Sequence, residues 1–252
     1  TGTPTGTTPT RAGNCGGNSG LTFTSKTVYW NLAGTQNWSA VGWATSSTGT
    51  PGVNNFPLAQ DTATFTNSGS AGTVTINGDW NIGILDMSAR TSAMTLTINP
   101  NNATSFYGDV TIGSGVTLDG NGVEIDFVKS SGTQNITSNA KIWKNAIVVD
   151  SSGTISIQDN FTCSAVYGLS LIRGTLKLNT YTMKLNLFWS NNSKTRTLDF
   201  GSTGSIQLLS SGSVWDTSTN TNLTIAGVDR IVYVDYSGSA DVSVATGTGI
   251  TE

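Results

Sequence analysis

The chain has 252 residues, of which 36% are hydrophobic and only 11% are charged, and its net charge is -3. Disordered chains combine low hydrophobicity with high net charge, so this near-neutral balance argues against disorder. Without an excess of Lys and Arg there is also little to neutralise phosphates, and we predict no nucleic-acid partner.

The residue types that bind metals or act in nucleophilic catalysis are scarce. The chain has no His and only two Cys, so neither a zinc site nor a Ser-His-Asp triad is predicted, and no cofactor is expected. The spacing of Cys15 and Cys163 does not argue for a disulfide, and we expect them to stay unbonded. No apolar stretch is long enough to cross a bilayer, so we predict no membrane partner.

Residues 1–20 are rich in Thr, Gly and Pro. Such a segment offers almost nothing to bury, so it cannot contribute much to a core. We predict an N-terminal arm that is either flexible or held by a partner.

Residues 21–70 contain the densest group of aromatic side chains in the chain. Aromatic rings bury more area per residue than other side chains, so such a group can close the end of a β-structure. We therefore predict a capping module in which Trp30, Trp38, Trp43 and Phe65 are buried.

Residues 71–252 alternate apolar and small polar residues in short runs, as in Val74 and Ile76 between Thr73 and Thr75. Side chains alternate between the two faces of a strand, so each run predicts a strand with one apolar face. Asn-Gly, Asp-Gly and Ser-Gly steps separate the runs, and these residues favour turns.

Two all-β architectures produce this pattern, a parallel β-solenoid (β-helix) and an antiparallel β-sandwich. The run of strands exceeds 150 residues, whereas a typical sandwich has about 100. Outward Thr, Ser and Asn also suit the stacking of like residues between successive turns. We favour the solenoid, with the sandwich as the alternative, although the irregular spacing gives no strict repeat length.

Several segments resemble the large, repeat-bearing, tail-fibre-like structural proteins of tailed bacteriophages. The resemblance covers most of residues 26–230 and lies in seven segments, which are residues 27–39, 54–63, 80–83, 88–91, 134–139, 194–201 and 212–219. It implies a β-rich structural protein of a virus particle, and it assigns no catalytic residue.

The resemblance also implies partners and a location. Fibres of this kind are commonly homotrimers, so we expect a homo-oligomer in the virion, with host cell-surface glycan as a possible receptor. In members of this group the repeats continue past a point like residues 247–252. We therefore expect a longer polypeptide, or another subunit that covers the last turn, since an open sheet edge favours aggregation.

One acidic cluster is a candidate catalytic site. Glu124 and Asp126 share one face of a predicted strand, and Asp119 lies nearby. Glycoside hydrolysis requires a pair of carboxyl groups, so these residues are weak candidates for cleavage of a polysaccharide. The alternative, which we favour, is that Asp119 forms the corner at residues 119–122 while Glu124 and Asp126 are solvated.

Three later Trp residues are candidate ligand-binding residues. Trp143, Trp189 and Trp215 would stack on sugar rings if one face of the solenoid exposes them. The favoured alternative is that they are buried in the core. Six Asn-x-Ser/Thr sequons also occur, but the chain is so rich in these residues that we predict no glycosylation.

The sequence therefore predicts a non-enzymatic fibre or tail-associated subunit of a virion that attaches to a host surface. A polysaccharide depolymerase and a bacterial surface adhesin remain as alternatives. The depolymerase requires an acid pair in a groove, and the adhesin requires an anchor in flanking sequence.

Overall fold

The computed structural model describes residues 12–69, 71–164, 166, 168–238 and 240–246. The predictions for residues 1–11 and 247–252 lie outside the described residues. The described part contains a short 3-10 helix (Val53–Asn55) and 25 strands. In chain order the strands are β1 (Thr27–Trp30), β2 (Gly34–Asn37), β3 (Trp43–Ala44), β4 (Thr62–Thr64), β5 (Ala71–Ile76), β6 (Asn81–Ile82), β7 (Ile84–Asp86), β8 (Met94–Ile98), β9 (Ala103–Phe106), β10 (Val110–Thr111), β11 (Val116–Gly120), β12 (Glu124–Phe127), β13 (Thr133–Thr137), β14 (Ile142–Trp143), β15 (Ile147–Ile157), β16 (Phe161–Cys163), β17 (Leu169–Lys177), β18 (Thr182–Leu185), β19 (Phe188–Trp189), β20 (Arg196–Asp199), β21 (Ser205–Leu208), β22 (Gly212–Thr217), β23 (Leu223–Ala226), β24 (Ile231–Val234) and β25 (Val242–Thr246).

The strands wind into a parallel β-solenoid of about eight turns, each turn contributing one strand to each of three faces. The first face carries β1, β4, β7, β10, β13, the second half of β15, the second half of β17, β20 and β23. The second face carries two successive sheets, the first formed by β2, β5, β8 and β11 and the second by β14, β16, β18, β21 and β24. The third face carries β6, β9, β12, the first half of β15, the first half of β17, β19, β22 and β25. The solenoid prediction is confirmed and the sandwich alternative is wrong, because successive turns pair in parallel.

The register between turns aligns like residues in columns. On the first face, for example, Ala63, Leu85, Val110 and Ile136 pair in succession and all are buried. Outward positions carry hydroxyl residues in the same way, because the two-residue period sends alternate side chains to solvent. Burial of these aliphatic columns is the main force that holds the turns together.

Turn length varies, which explains why the sequence shows no strict repeat. Ile155 pairs with Leu176, 21 residues later, whereas Leu198 pairs with Ile225, 27 residues later. The strands keep the parallel register while the corner loops absorb the extra residues.

Side chains at the corners bind the backbone of the next turn. Asp79 accepts hydrogen bonds from the backbone N–H groups of Asn101 and Asn102 at 2.9 and 2.8 Å, and Asn67 accepts from Thr91 and Ser92 at 2.9 and 2.8 Å. A corner interrupts the strand pairing and leaves backbone donors without carbonyl partners, so an Asn or Asp side chain satisfies them. This accounts for the abundance of Asn and Asp between the strands.

Two buried arginines join corners of different turns, and neither was predicted from the sequence. The Arg90 guanidinium donates to five backbone carbonyls, including those of Thr66 and Ala71 in the preceding turn. The Arg196 guanidinium donates to the carbonyls of Ser190, Lys194, Thr219 and Thr221 and to the Ser190 hydroxyl. Burial lowers the pKa of both groups, yet Arg stays protonated in proteins. The carbonyl dipoles therefore compensate both charges.

The N-terminal end of the solenoid is closed by the four aromatic residues predicted for the cap. Trp43 lies at their centre, with ring centroids 5.1 Å from Trp30, 4.7 Å from Trp38 and 5.4 Å from Phe65. All four side chains are buried. β3 also pairs antiparallel with β1 and covers its free edge. The burial predicted for these residues is confirmed, and the first turn is continuous with the rest, since β1 pairs in parallel with β4.

The two ends of the solenoid differ. In the last described turn, Val232 and Val234 stand in register with the buried Ile206 and Leu208, yet both are exposed. Their exposure follows from the lack of a further turn above them within the described residues.

Candidate functional site

Glu124 and Asp126 project outward from β12 on the third face, while Ile125 and Phe127 face the core. Their carboxyl groups are hydrogen-bonded to each other. The Ser105 hydroxyl donates to Asp126 Oδ2 at 3.2 Å, and Asp126 Oδ1 is buried with no N–H or hydroxyl donor. The structure thus brings these two candidates together.

The pair is arranged to hold a proton near neutral pH. Burial, together with the hydrogen bond to Asp126 and the charge of Asp126, raises the pKa of Glu124 to about 7. Burial also raises the pKa of Asp126, against the lowering effect of its bonds to Glu124 and Ser105, and the nearby charge of Asp150 adds to the rise. Two carboxyl groups in contact cannot both ionise freely, so the proton belongs to the pair.

The geometry of the two carboxyl groups bears on the prediction of glycoside hydrolysis. Retaining glycosidases hold their carboxyl groups about 5–5.5 Å apart and inverting enzymes about 6.5–9.5 Å apart. Glu124 and Asp126 instead interact directly through a side-chain hydrogen bond. Direct contact of this kind favours a structural pair over the predicted catalytic site.

Asp119 is not part of this cluster. It lies in β11 on the second face, where its carboxylate forms an ion pair with Lys144 of the next turn at 2.8 Å. The hydrogen bond to Lys144 lowers the pKa of Asp119. The prediction that Asp119 forms a corner is wrong, because the strand continues through Gly120 and the corner begins at Asn121.

A described part of the arm lies against its own chain. The backbone N–H of Asn14 donates to Gln60 Oε1 at 2.8 Å, and Gln60 Nε2 donates to the Ala12 carbonyl at 3.1 Å. Further along, the Cys15 thiol is hydrogen-bonded to Tyr107, and burial raises the pKa of Tyr107 to about 12. The arm therefore lies across successive turns of its own chain, which the sequence did not suggest. Cys15 is exposed there, whereas the other cysteine is buried in the core.

The three candidate ligand-binding tryptophans do not form a common surface. Trp143 and Trp215 are buried, so the hypothesis that they stack on sugar rings is wrong and the core alternative holds for both. Trp143 packs on Phe161, and Trp215 packs on Phe188 with ring centroids 4.4 Å apart. Trp189 points outward from β19 and is half-buried.

An open groove lies where the third face turns into the first, and we call it the corner groove. Its cavity volume is about 540 Å³. β15 and β17 run through this corner as continuous strands, whereas the corners on either side of them, at residues 128–132 and 190–195, are loops. The groove is lined by the two tight corners and by residues of both loops.

The floor of the corner groove depends on close packing between turns. A side chain at Gly174 would place its Cβ 2.2 Å from the Ser151 carbonyl oxygen, and Gly174 has a φ of 83°. Only glycine accommodates both conditions without strain. The backbone can therefore turn tightly here and leave room above it.

Hydroxyl groups line the corner groove. They belong to Thr133, Ser152, Thr154, Thr175, Thr195 and Thr197. The register pairs Thr133 with Thr154, Thr154 with Thr175, and Thr175 with Thr197, so four of them form a row across four turns. Neighbouring strands lie about 4.8 Å apart, which sets the spacing of the row.

Charged groups lie at one side of the corner groove. Arg173 Nε contacts Asp150 Oδ1 at 2.8 Å, and Lys194 Nζ lies 3.7 Å from Asp150 Oδ2. Two cations thus share one carboxylate, and the charge of Asp150 also acts on Asp126 of the carboxyl pair. This site was not predicted from the sequence, although Ser-Ser-Gly-Thr occurs at both 130–133 and 151–154 and Gly-Thr recurs at 174–175.

Comparison with protein-family models, with characterised proteins and with solved structures finds no significant match to this chain. Within the described residues, no helix is long and apolar enough to cross a membrane. The same residues contain no group of three or more side chains arranged to hold a metal ion.

The carboxyl pair predicts a specific pH dependence of stability. A carboxyl group with a raised pKa in the folded state stabilises the fold fully below its unfolded pKa of about 4.5, and this contribution is lost as the pH rises to about 7. Glu124→Gln keeps a neutral hydrogen-bond donor, so we expect it to stabilise the protein at pH 8 by about 1 kcal/mol, after allowance for solvent screening. At pH 4 it should have little effect.

Urea unfolding of both proteins at pH 4 and pH 8 measures this difference. Asp119→Asn is the control, and it should lower the stability at pH 8 rather than raise it. The Asp119 ion pair with Lys144 forms only when the carboxylate is ionised. An equal effect of Glu124→Gln at both pH values would show that the pair does not share a proton.

Proposed function

We propose that this protein is a non-enzymatic fibre or tail-associated structural subunit of a bacteriophage virion, and that it attaches the particle to a host surface. The parallel stacking of about eight turns is the observation that carries this proposal. It supports a stiff rod that holds a binding surface away from a particle. The assignment to a virion depends on the sequence resemblance described above.

The interior of the solenoid supports a mechanical role. Aliphatic columns run along all three faces, and corner side chains such as Asp79 and Asn67 bind the backbone of neighbouring turns. Each turn is fixed to the next by backbone bonds, side-chain bonds and apolar contact at once. A rod of this kind resists bending because bending would separate several of these contacts together.

We propose a homotrimer as the assembled form, with the N-terminal arm contacting other virion proteins. The single chain exposes Val232 and Val234 at its last described turn, and an assembled or longer protein would cover them. Analytical ultracentrifugation of the purified chain tests this, with sedimentation as a trimer expected. A concentration-independent monomer would contradict the trimer for this segment.

The complete reading frame and its genomic neighbours test the location. We expect further solenoid sequence in the same frame and neighbouring genes for particle proteins. A signal peptide and a cell-surface anchor in the flanks would favour the alternative, a bacterial adhesin with the same solenoid.

The depolymerase alternative has one specific observation in its favour, the raised pKa of Glu124 near pH 7. A general acid needs such a pKa, but the direct contact of Glu124 and Asp126 favours a structural pair. We expect no reducing ends to be released from bacterial polysaccharides by the wild-type chain or by Glu124→Gln with Asp126→Asn. Cleavage by the wild type that the double variant loses would establish the enzyme instead.

A further inference from the structure

We propose that the corner groove is a carbohydrate-binding site for an acidic polysaccharide, which it holds through a row of threonine hydroxyls and Arg173. This inference gives a ligand class to the attachment role proposed above and rests on that role for its biological meaning. The binding itself can be tested separately.

The size and form of the corner groove suit a short saccharide segment. Its volume of about 540 Å³ lies within the range of about 300–1,000 Å³ typical of ligand sites. The depression is open, so a polymer can enter at one end and leave at the other. It is also formed by strands paired on both sides, such as β15 and β17, which makes it rigid before any ligand binds.

The hydroxyl groups of the corner groove are available to a ligand. Those of Thr133, Ser152, Thr154, Thr175, Thr195 and Thr197 make no hydrogen bond to another described residue. Ser151 differs, because its hydroxyl donates to the Lys129 carbonyl at 2.8 Å and is buried. A hydroxyl both donates and accepts, so a regular row of them matches a ligand that presents hydroxyls in series. Sugar rings in a chain are such a ligand.

The charge at the corner groove selects for an acidic sugar. Among the described contacts only the Nε atom of Arg173 is engaged, by Asp150, which leaves the two terminal guanidinium nitrogens for a ligand. Arg binds carboxylates through two parallel hydrogen bonds, which makes it specific for planar anions. Lys194 lies near the same carboxylate and adds a second positive charge. A carboxylate-bearing sugar would therefore bind more tightly than a neutral one.

Other ligand classes fit the corner groove less well. Its lining contains no aromatic side chain on which a nucleic-acid base could stack. A peptide that adds a strand needs a free sheet edge, but β15 and β17 are hydrogen-bonded on both sides. Sugar hydroxyls and a carboxylate satisfy both the hydroxyl row and Arg173.

An array of acidic and neutral bacterial oligosaccharides, followed by titration calorimetry with the best acidic member, tests the proposal. We expect acidic members to bind, and we expect binding to weaken with added salt because the contact to Arg173 is ionic. Arg173→Gln should weaken binding about tenfold, as expected for the loss of a hydrogen bond to a charged group. Binding to neutral members alone, or to no member, would overturn the proposal.

A variant that removes only hydroxyls tests the threonine row. Thr154→Val with Thr175→Val keeps the shape of both side chains, and we expect it to weaken binding about tenfold or more. The matched control is Thr95→Val with Thr97→Val, an outward pair on the second face and outside the groove, which should change binding less than twofold. Thermal unfolding of each variant shows whether the fold is kept.

A third variant blocks the corner groove without removing any hydrogen bond. Ser152 is exposed at its edge, so Ser152→Trp should exclude a sugar chain while leaving the fold intact. Unchanged affinity in this folded variant would place the binding elsewhere.

Glycan binding without a virion context in the reading frame would leave this inference standing and overturn the proposed location. If the neighbouring genes encode particle proteins but the chain binds no glycan, the proposed location stands and this inference is overturned.

Discussion

Replacing Arg196 with methionine is expected to lower the free energy of unfolding by about 3 kcal/mol or more. Methionine keeps the apolar stem but leaves four backbone carbonyls and the Ser190 hydroxyl without their donor, and two of the lost bonds are fully buried. Each buried polar group left without a partner costs about 1–3 kcal/mol. Water that reaches the outer carbonyls of Thr219 and Thr221 would offset part of this cost.

Two further variants show whether the geometry of the guanidinium matters. Arg196→Lys should recover little, because one ammonium group cannot reach carbonyls on both corners at once. Arg230→Met is the control, since Arg230 is exposed and makes a single bond of 3.3 Å to Ile225. We expect it to change stability by no more than about 0.5 kcal/mol. Equal effects of Arg196→Met and Arg230→Met in denaturant unfolding would contradict the role assigned to Arg196.

Replacing Trp43 with alanine is expected to destabilise the protein by about 3–5 kcal/mol. The Trp43 ring is the centre of the cap and contacts Trp30, Trp38 and Phe65. Its removal leaves a cavity against three rings and also takes away the bond from Trp43 Nε1 to the Trp38 carbonyl. The cap covers the first turn, so we expect the N-terminal turns to lose amide-exchange protection first.

The outward Trp189 provides the control for Trp43. Trp189→Ala removes the same number of atoms from a half-buried position, so we expect it to cost clearly less than Trp43→Ala. Hydrogen exchange followed by mass spectrometry locates the loss of protection. Loss spread evenly over all turns would show that the aromatic cluster does not act as a local cap.

The local pattern of the sequence was sufficient to predict the strands and the inward residues. Ile125 and Phe127 alternate with Glu124 and Asp126, and the structure places the first two in the core and the second two outside. That alternation is a property of one strand and needs no partner. The burial favoured for Trp143 and Trp215 is confirmed as well, although the sequence also allowed one face of the solenoid to expose them.

The corner groove and the two buried arginines were not predictable in this way. Thr154 and Thr175 become neighbours only when turns of 21 residues are stacked, whereas elsewhere turns have other lengths. Arg196 occupies the position that Gly174 holds in the preceding turn, and only the register between β17 and β20 reveals this substitution. The register between distant strands depends on the lengths of several turns, so no single segment of sequence reveals it.

The local sequence is enough to predict an all-β chain with apolar inward positions, hydroxyl-bearing outward positions and an aromatic start. Each of these follows from the two-residue period of a strand and from the large apolar area of aromatic rings. Tertiary structure alone decided which residues meet across turns. It brought Glu124 and Asp126 into contact, placed Asp119 on another face, and opened a groove above Gly174. The reason is that the lengths of the corner loops set the register between turns, and those lengths vary along the chain.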